Sequence, residues 1–139
     1  MIIDTKVKDV MTRGVITIPE EASVKDAIDI IADNEVSAVV ATSEKGELRG
    51  ILSEIDIIKA YDKDLSHMKV REIMTSPVIT VTKEDDLETA CQLMKKNNIH
   101  RLVVQQDIFY QNTNKVSHFP CGILSISDII HILASLNTL

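Results

Sequence analysis

The stretch GILSEID, from Gly50 to Asp56, is nearly repeated as GILSISD, from Gly122 to Asp128. In each copy a glycine precedes two aliphatic residues and a serine, and an aspartate stands three residues after the serine. A chain of 139 residues that contains this pattern twice is either one domain with a chance recurrence or a duplicated unit with paired sites. The sequence around each copy decides between these two interpretations.

The repetition extends well beyond the seven residues. Val7–Thr42 aligns with Val70–Gln105 without a gap at an offset of 63 positions. The offset then becomes 72, because the second copy carries nine extra residues before Gly122. Self-similarity of this length indicates a duplicated structural unit, and two copies are too few for a solenoid. We therefore expect two short units that each cover an apolar face. Each begins with one or two helical turns, at Thr5–Met11 and Met68–Met74.

Both copies predict the order strand, helix, strand, strand, helix. The β-branched runs VITI and VITV predict the first strands. Apolar residues at helical spacing follow Ser23 in the first copy and Asp85 or Asp86 in the second, and these polar residues are suitable N-caps. The valine-rich runs VSAVVA and HRLVVQ predict the central strands. The predicted fold class is α+β, with a first repeat at residues 1–62 and a second at 63–139.

The extra residues of the second repeat predict an extended hairpin insertion at about 106–121. Three of the four aromatic residues of the chain lie there: Phe109, Tyr110 and Phe119. The favoured interpretation is an elongated hairpin whose aromatic side chains pack on their own unit. The alternative is a protein-contact or pocket-covering element, since long loops often carry function.

Composition excludes several classes of function. Lys plus Arg is 15 and Asp plus Glu is 21, so the net charge of −6 argues against binding to nucleic acid or to a membrane surface. The two cysteines, Cys91 and Cys121, have no ligand spacing and are expected to be free thiols. The histidines share no metal-ligand spacing with them, so no metal site is expected. The charged N-terminal nine residues resemble no signal peptide and favour a cytoplasmic location.

The paired serine and aspartate have two interpretations. Ser53 with Asp56, and Ser125 with Asp128, fit a capping box that stabilises each helix by roughly 1 kcal/mol. The same junctions also fit a binding site, in which the carboxylate accepts hydrogen bonds from vicinal hydroxyls, as in dinucleotide-binding folds. The capping box does not explain the glycine, which would let another group approach the strand closely.

Taken together, the DVMT and EIMT openings, the VIT strands, the HRLVV segment and the two G-I-L-S-x-x-D junctions resemble a tandem pair of cystathionine-β-synthase-type (CBS) domains, or Bateman module. The resemblance covers residues 7–136. It implies two units packed sheet to sheet with pseudo-twofold symmetry and two equivalent clefts. Each cleft would hold an adenosine-containing ligand such as AMP, ADP, ATP or S-adenosylmethionine, with no resident cofactor. Carried over from the family, one cleft comprises Ser53, Asp56, Thr75, Val78, Ile79, His100 and Arg101. The other comprises Ser125, Asp128, Thr12, Val15, Ile16, Ser37 and Ala38.

The resemblance makes the two clefts unequal. His100 and Arg101 offer groups that suit phosphate, whereas their counterparts Ser37 and Ala38 offer no charge. This comparison favours the Asp56 cleft as the nucleotide-phosphate site. Arg101 also fits a solvated cation at a strand edge, and His100 a structural histidine.

The sequence contains no nucleophile paired with a base, no supported carboxylate pair and no phosphate-binding GxxxxGK[ST] loop, so we do not expect an enzyme. The predicted function is a regulatory module that binds an adenine nucleotide and signals to a separate, unidentified protein. Apolar residues on the final helix of each repeat predict a homodimer. They are Ile57, Ile58, Ile129, Ile130, Ile132 and Leu133. The alternative function is a structural dimerisation module with empty clefts.

Overall fold

The structure, a computed structural model, describes residues 4–111 and 113–136. It is a mixed α/β protein with two sheets and four helices in the described residues. The strands are β1 (Thr12–Arg13), β2 (Thr17–Pro19), β3 (Ala38–Thr42), β4 (Leu48–Ser53), β5 (Thr80–Val81), β6 (Arg101–Phe109) and β7 (Val116–Ser125). The helices are α1 (Val24–Asn34), α2 (Glu54–Lys59), α3 (Leu87–Asn97) and α4 (Ile126–Ala134). Short 3₁₀ turns lie at Val7–Asp9 and Val70–Glu72, within the segments predicted to contain helical turns.

The predicted order of strand, helix, strand, strand and helix is confirmed in both repeats, but the first repeat has an additional short strand, β1, that was not predicted. The strands formed by the VITI and VITV runs begin two residues later than those runs suggest, at Thr17 and Thr80. Ser23 caps α1, because its hydroxyl accepts a hydrogen bond from the Asp26 backbone N–H at 3.0 Å. Asp86 is the N-cap residue of α3.

The chain forms two compact units that do not coincide with the repeats. The first unit, Val15–Val78, contains the core of the first repeat and the opening segment of the second, which is residues 63–78. The second unit contains Met1–Gly14 and Ile79–Leu139, so it joins the core of the second repeat to the opening segment of the first. Each unit is thus built from both repeats.

The first unit is built on a three-stranded sheet in the order β2-β3-β4. β2 and β3 are parallel and are connected through α1, whereas β3 and β4 form an antiparallel hairpin. Its core contains Leu52, which is fully buried, and Ala27 and Ile31 from the apolar stripe of α1. Val70 from the opening segment of the second repeat belongs to the same core.

The second unit is built on a four-stranded sheet in the order β1-β7-β6-β5. Leu102 and Leu124 on the central strands are fully buried, and Leu87 and Met94 cover them from α3. Val7 from the opening segment of the first repeat completes this core. The exchange of opening segments therefore contributes one fully buried valine, Val7 or Val70, to each unit.

Ion pairs hold each opening segment at the start of a helix. In the second unit Lys6 Nζ lies 2.7 Å from the Asp86 carboxylate. In the first unit Lys69 Nζ lies 2.7 Å from Glu21, which also contacts Arg71 at 3.0 Å. These side chains are about half exposed, so solvent screens the charges and each pair contributes little to stability.

Candidate functional site

The repeated glycine allows an opening segment to join each Gly-Ile-Leu-Ser strand. In the first unit Ile51 and Thr75 exchange backbone hydrogen bonds of 3.1 and 2.9 Å. A Cβ atom at Gly50 would stand 2.5 Å from Met74 Sδ and 3.0 Å from the Thr75 carbonyl oxygen. The prediction that this glycine permits a close approach is confirmed, and the approaching group is the opening segment of the other repeat.

The same contact occurs in the second unit, where Thr12 pairs with Ile123 in the antiparallel β1–β7 ladder. A Cβ atom at Gly122 would stand 2.7 Å from the Thr12 carbonyl oxygen. In each unit a threonine of one repeat thus pairs with the Gly-Ile-Leu-Ser strand of the other.

The carboxylate of Asp56 in the first unit accepts three hydrogen bonds. The backbone N–H of Ser53 donates at 2.9 Å and its hydroxyl at 3.0 Å, both to Oδ2. The Thr75 hydroxyl lies 3.2 Å from Oδ1 and 3.4 Å from Oδ2. Both carboxylate oxygens therefore have a donor from the first unit itself.

The carboxylate of Asp128 in the second unit is bonded differently. Its Oδ2 accepts the Ser125 backbone N–H at 2.9 Å, and the Ser125 hydroxyl accepts the Asp128 backbone N–H at 3.1 Å. This is a complete capping box, as the sequence predicts. Within the described ranges, no hydrogen bond joins Thr12 to Asp128.

Strand pairing places the residues at the start of each central strand beside the serine of the same repeat. Arg101 pairs with Ser125, and the His100 carbonyl accepts the Ile126 N–H at 2.9 Å. Ala38 pairs with Ser53 in the first unit. Because directly paired residues share one face of a sheet, the side chain of Arg101 lies on the face of Ser125.

Ser37 and the four aliphatic residues of the predicted clefts are partly buried. The Ser37 carbonyl accepts the Glu54 N–H at 3.1 Å. Ile16 packs against the core of the first unit and Ile79 against that of the second. Val15 and Val78 stand directly before these two isoleucines, in the residues that lead into β2 and β5. The grouping of Asp56 with His100 and Arg101, and of Asp128 with Ser37 and Ala38, joins residues of different units and stays a prediction.

Sequence reasoning missed an open groove of about 640 Å³ inside the first unit, between α1 and α2. Ile28, Ile57 and Ile58 supply apolar walls, and Glu35 and Glu54 are the ionisable residues that line it. An apolar group suits this groove, whereas a phosphate does not, because its charged lining is acidic. Helical spacing identifies the apolar residues of α1, but it does not indicate that one of them, Ile28, lines an open groove.

The insertion of the second repeat forms the predicted elongated hairpin, because β6 and β7 stay paired from Arg101–Ser125 out to Phe109–Val116. The expectation that its aromatic residues pack on their own unit is wrong for Phe109, which is 75% exposed. A hydrogen-bonded pair stiffens the extension: His118 Nδ1 lies 2.6 Å from Asp107 Oδ1.

Both cysteines are free and partly buried, as expected. Burial raises the pKa of the Cys91 thiol, and the nearby Glu88 carboxylate raises it further. Burial also raises the pKa of Cys121, against the opposing charges of Lys83 and Arg13. Both thiols are therefore weakly nucleophilic at neutral pH.

Other classes of site receive no support from the part of the chain that the structure describes. No cluster of three or more His, Cys, Asp or Glu side chains has the geometry of a metal site there. None of the helices in that part has the length and apolarity that a bilayer crossing requires.

The structure has two β-α-β-β-α repeats that exchange their opening segments, and each unit contains one serine–aspartate junction. These features define a tandem-repeat α/β module. The family model for the CBS domain matches residues 7–63 and 70–135. The chain belongs to the CBS-domain family.

Solved structures agree with this assignment. The CBS domain pair of protein MJ0100, solved in complex with 5′-methylthioadenosine and S-adenosyl-L-methionine, is 28% identical. It superposes with a TM-score of 0.78 over 94% of this chain and 96% of that one. An uncharacterised conserved protein from Pyrococcus horikoshii shares the fold over 100% of both chains, with a TM-score of 0.78 at 20% identity.

Curated relatives are longer proteins. A homoserine O-acetyltransferase from Methanocorpusculum labreanum is 35% identical over 101 residues, which are 73% of this chain and 20% of that protein. The uncharacterised protein MJ1232 of Methanocaldococcus jannaschii is 32% identical over 130 residues, which are 93% of this chain and 40% of that protein. This chain therefore spans less than half the length of these relatives.

Proposed function

We propose that this protein is a non-catalytic regulatory module that binds an adenosine-containing ligand through the serine–aspartate junctions of its two repeats. The observation that carries the proposal is the half-buried carboxylate on the first turn of α2 and of α4, which at Asp56 also accepts a hydrogen bond from a threonine of the other repeat. A carboxylate in this position suits the two vicinal hydroxyls of a ribose. The adenosine ligands of the MJ0100 domain pair, at 28% identity, support the same ligand class.

Regulation would follow because each compact unit contains segments of both repeats. A ligand that favours one arrangement of the module shifts its population only by its difference in affinity for the two arrangements. The responding element would be a separate cytoplasmic protein or a second copy of the chain. We propose a homodimer, because α2 exposes Ile58 and α4 exposes Ile130, at 61% and 57%.

A second candidate function is structural dimerisation with empty clefts. One observation favours it: the Asp56 carboxylate already has hydrogen-bond donors on both oxygens. In that case the exposed helix faces would carry the function and the junctions would serve only as helix caps.

A thermal-shift screen separates the two candidates. The probes are AMP, ADP, ATP, S-adenosylmethionine and 5′-methylthioadenosine, with GMP and ribose-free adenine as controls. A ligand at 100 times its Kd adds about 2.7 kcal/mol to the free energy of unfolding, which raises Tm by several degrees. A rise with an adenosine compound and none with adenine supports binding. No rise with any probe at millimolar concentration supports the structural module.

A further inference from the structure

We propose that the groove between α1 and α2 binds an amphipathic helix of the protein to which the module signals, a helix whose apolar stripe is flanked by lysine or arginine. The inference rests on the proposed function in one respect, since it takes the output of the module to be a separate protein. It adds the place where that protein binds and the chemistry of the segment that binds there.

The walls of the groove are apolar. Ile28 and Val36 are partly buried and Ile57 packs on the core, yet all three line the open space of about 640 Å³. Ile58, which also lines the groove, is 61% exposed. In helix-in-groove recognition, such walls receive the apolar side chains of an amphipathic helix.

The ionisable residues that line the groove are both acidic. Glu35 stands at the end of α1 and Glu54 at the start of α2, and both side chains are exposed. Among the described residues, no lysine or arginine lines the groove. Carboxylates beside an apolar surface attract cationic partners and repel anionic ones. The segment that complements this groove therefore carries positive charges beside its apolar side chains.

The end of α1 carries charges that are unfavourable for the helix itself. A helix C-terminus favours cations, yet the last turn of α1 contains no basic residue and does contain Asp33. Glu35 follows with a φ of 54°, in the left-handed region that glycine and asparagine adopt more readily. A cation of a bound partner would offset the negative charge at this helix end.

The matched end of α3 has the residues that a helix end prefers. Lys95 and Lys96 lie in its last turn, and Asn98 takes the left-handed position that Glu35 has in the first repeat. At an offset of 72, Ile126 matches the other acidic residue of the groove. The fold of a repeat therefore does not require acidic residues at these positions, and in the first repeat they are a disadvantage that a partner would relieve.

A second copy of the chain is the rival occupant, because Ile58 also belongs to the surface proposed for the homodimer. If the groove faced its own equivalent across a twofold axis, the acidic residues of the two copies would approach each other. Like charges that meet in an interface weaken it. A cationic segment of another protein avoids this repulsion and suits the groove better.

The test titrates the unmodified protein, without nucleotide, into labelled peptides of about 15 residues and measures fluorescence anisotropy. The first peptide has leucines at helical spacing and lysines elsewhere. In the second peptide glutamate replaces lysine, and in the third serine replaces leucine. We expect the leucine–lysine peptide to bind, and the other two to bind at least about tenfold more weakly. Equal binding of either of the other two peptides would overturn the inference.

A matched pair of double variants locates the binding. Glu35→Gln/Glu54→Gln should weaken the leucine–lysine peptide by about twofold to thirtyfold, which corresponds to the loss of two exposed ion pairs. Glu44→Gln/Glu47→Gln removes the same number of charges from the β3–β4 connection, outside the groove, and should change the affinity by less than about twofold. Equal losses in the two double variants would contradict the site.

Glu35→Asn introduces the residue type that the second repeat has at this position. It should weaken the peptide, while Tm stays the same or rises, because asparagine suits the left-handed backbone and removes a negative charge from the helix end. A lower Tm would contradict the argument that Glu35 is unfavourable for the fold.

The outcomes separate this inference from the proposed function. If the leucine–lysine peptide binds and no adenosine compound does, the proposed ligand fails and the docking site stands. If an adenosine compound binds and the peptide does not, the docking site alone fails. If Glu35→Gln/Glu54→Gln converts a dimer of the protein into a monomer in sedimentation velocity, the groove is a contact between copies and the inference is wrong.

Discussion

The Thr75 hydroxyl donates to the Asp56 carboxylate at 3.2 Å, although the two residues belong to different repeats and lie 19 positions apart. The contact exists because the opening segment of the second repeat pairs with the Gly-Ile-Leu-Ser strand of the first. The two repeats therefore exchange their opening segments, and each segment pairs with the Gly-Ile-Leu-Ser strand of the other repeat.

Alanine at either repeated glycine should destabilise the protein, and Gly122→Ala more than Gly50→Ala. At both positions the atom nearest to the new Cβ belongs to a flexible methionine, Met11 or Met74. The nearest backbone oxygen lies closer at position 122, 2.7 Å away, than at position 50, 3.0 Å away. Overpacking of this kind costs about 1–3 kcal/mol. Urea denaturation monitored by circular dichroism measures the difference. Equal losses would show that the backbone approach is not the constraint.

Glutamate at the exposed apolar positions should dissociate the proposed homodimer. Ile58→Glu on α2 and Ile130→Glu on α4 each place a charge on an exposed apolar surface. Sedimentation velocity at several concentrations should show a dimer for the unmodified protein and a monomer for these variants. Lys45→Glu in the β3–β4 loop should remain a dimer. A monomeric unmodified protein would contradict the prediction.

Acid should weaken the attachment of the opening segment in the first unit. The hydrogen bond from Lys69, with the charge of Arg71, lowers the pKa of Glu21 below its ordinary value of 4.5 despite the opposing effect of desolvation. A lowered folded-state pKa means that the stabilisation is present above the unfolded value and is lost as the pH falls through the folded one. Lys69→Gln should therefore raise the pKa of Glu21 in a carboxyl ¹³C NMR titration. Lys45→Gln should leave it unchanged, and an unchanged pKa in Lys69→Gln would contradict the assignment.

The local elements of the fold could be predicted because local residues determine them. Ser23 and Asp86 start their helices, and the matched Asn34 and Asn97 end them in the same way. Each asparagine side-chain amide bonds the carbonyl four residues earlier, Ile30 at 2.8 Å and Leu93 at 2.9 Å. Identical residues at an offset of 63 thus perform identical local functions.

The exchange of opening segments could not be predicted from local patterns. β1 consists of two exposed residues, Thr12 and Arg13, which carry no hydrophobic periodicity, and their partners lie more than 100 positions away. The repeated glycine was the available signal, since it indicated a close approach without identifying the approaching group.

The different hydrogen bonds of the two serine–aspartate junctions could not be predicted from the sequence either. Ser53 and Ser125 occupy matching positions, yet one hydroxyl donates to a carboxylate and the other accepts from a backbone N–H. A hydroxyl rotates to suit its neighbours, so its direction depends on the three-dimensional position of groups such as Thr75.

The six apolar residues of α2 and α4 that were predicted to form a homodimer surface do not all face solvent. Ile129 is buried at 6% exposure, and Ile57, Ile132 and Leu133 pack against the core of their own unit, whereas Ile58 and Ile130 are exposed. Helical spacing predicted an apolar helix, but the tertiary contacts decide which side of it faces solvent.

The central claim, that the two carboxylates bind an adenosine-containing ligand, is tested most directly by calorimetric titration of one double variant. S-adenosylmethionine and AMP are titrated into the unmodified protein and into Asp56→Asn/Asp128→Asn, with both proteins checked for the same unfolding midpoint. Hydrogen bonds to a charged group contribute about 1.5–3 kcal/mol, so the double variant should bind at least about tenfold more weakly than the unmodified protein. Equal affinity in the two proteins, or no binding by the unmodified protein, would contradict the account.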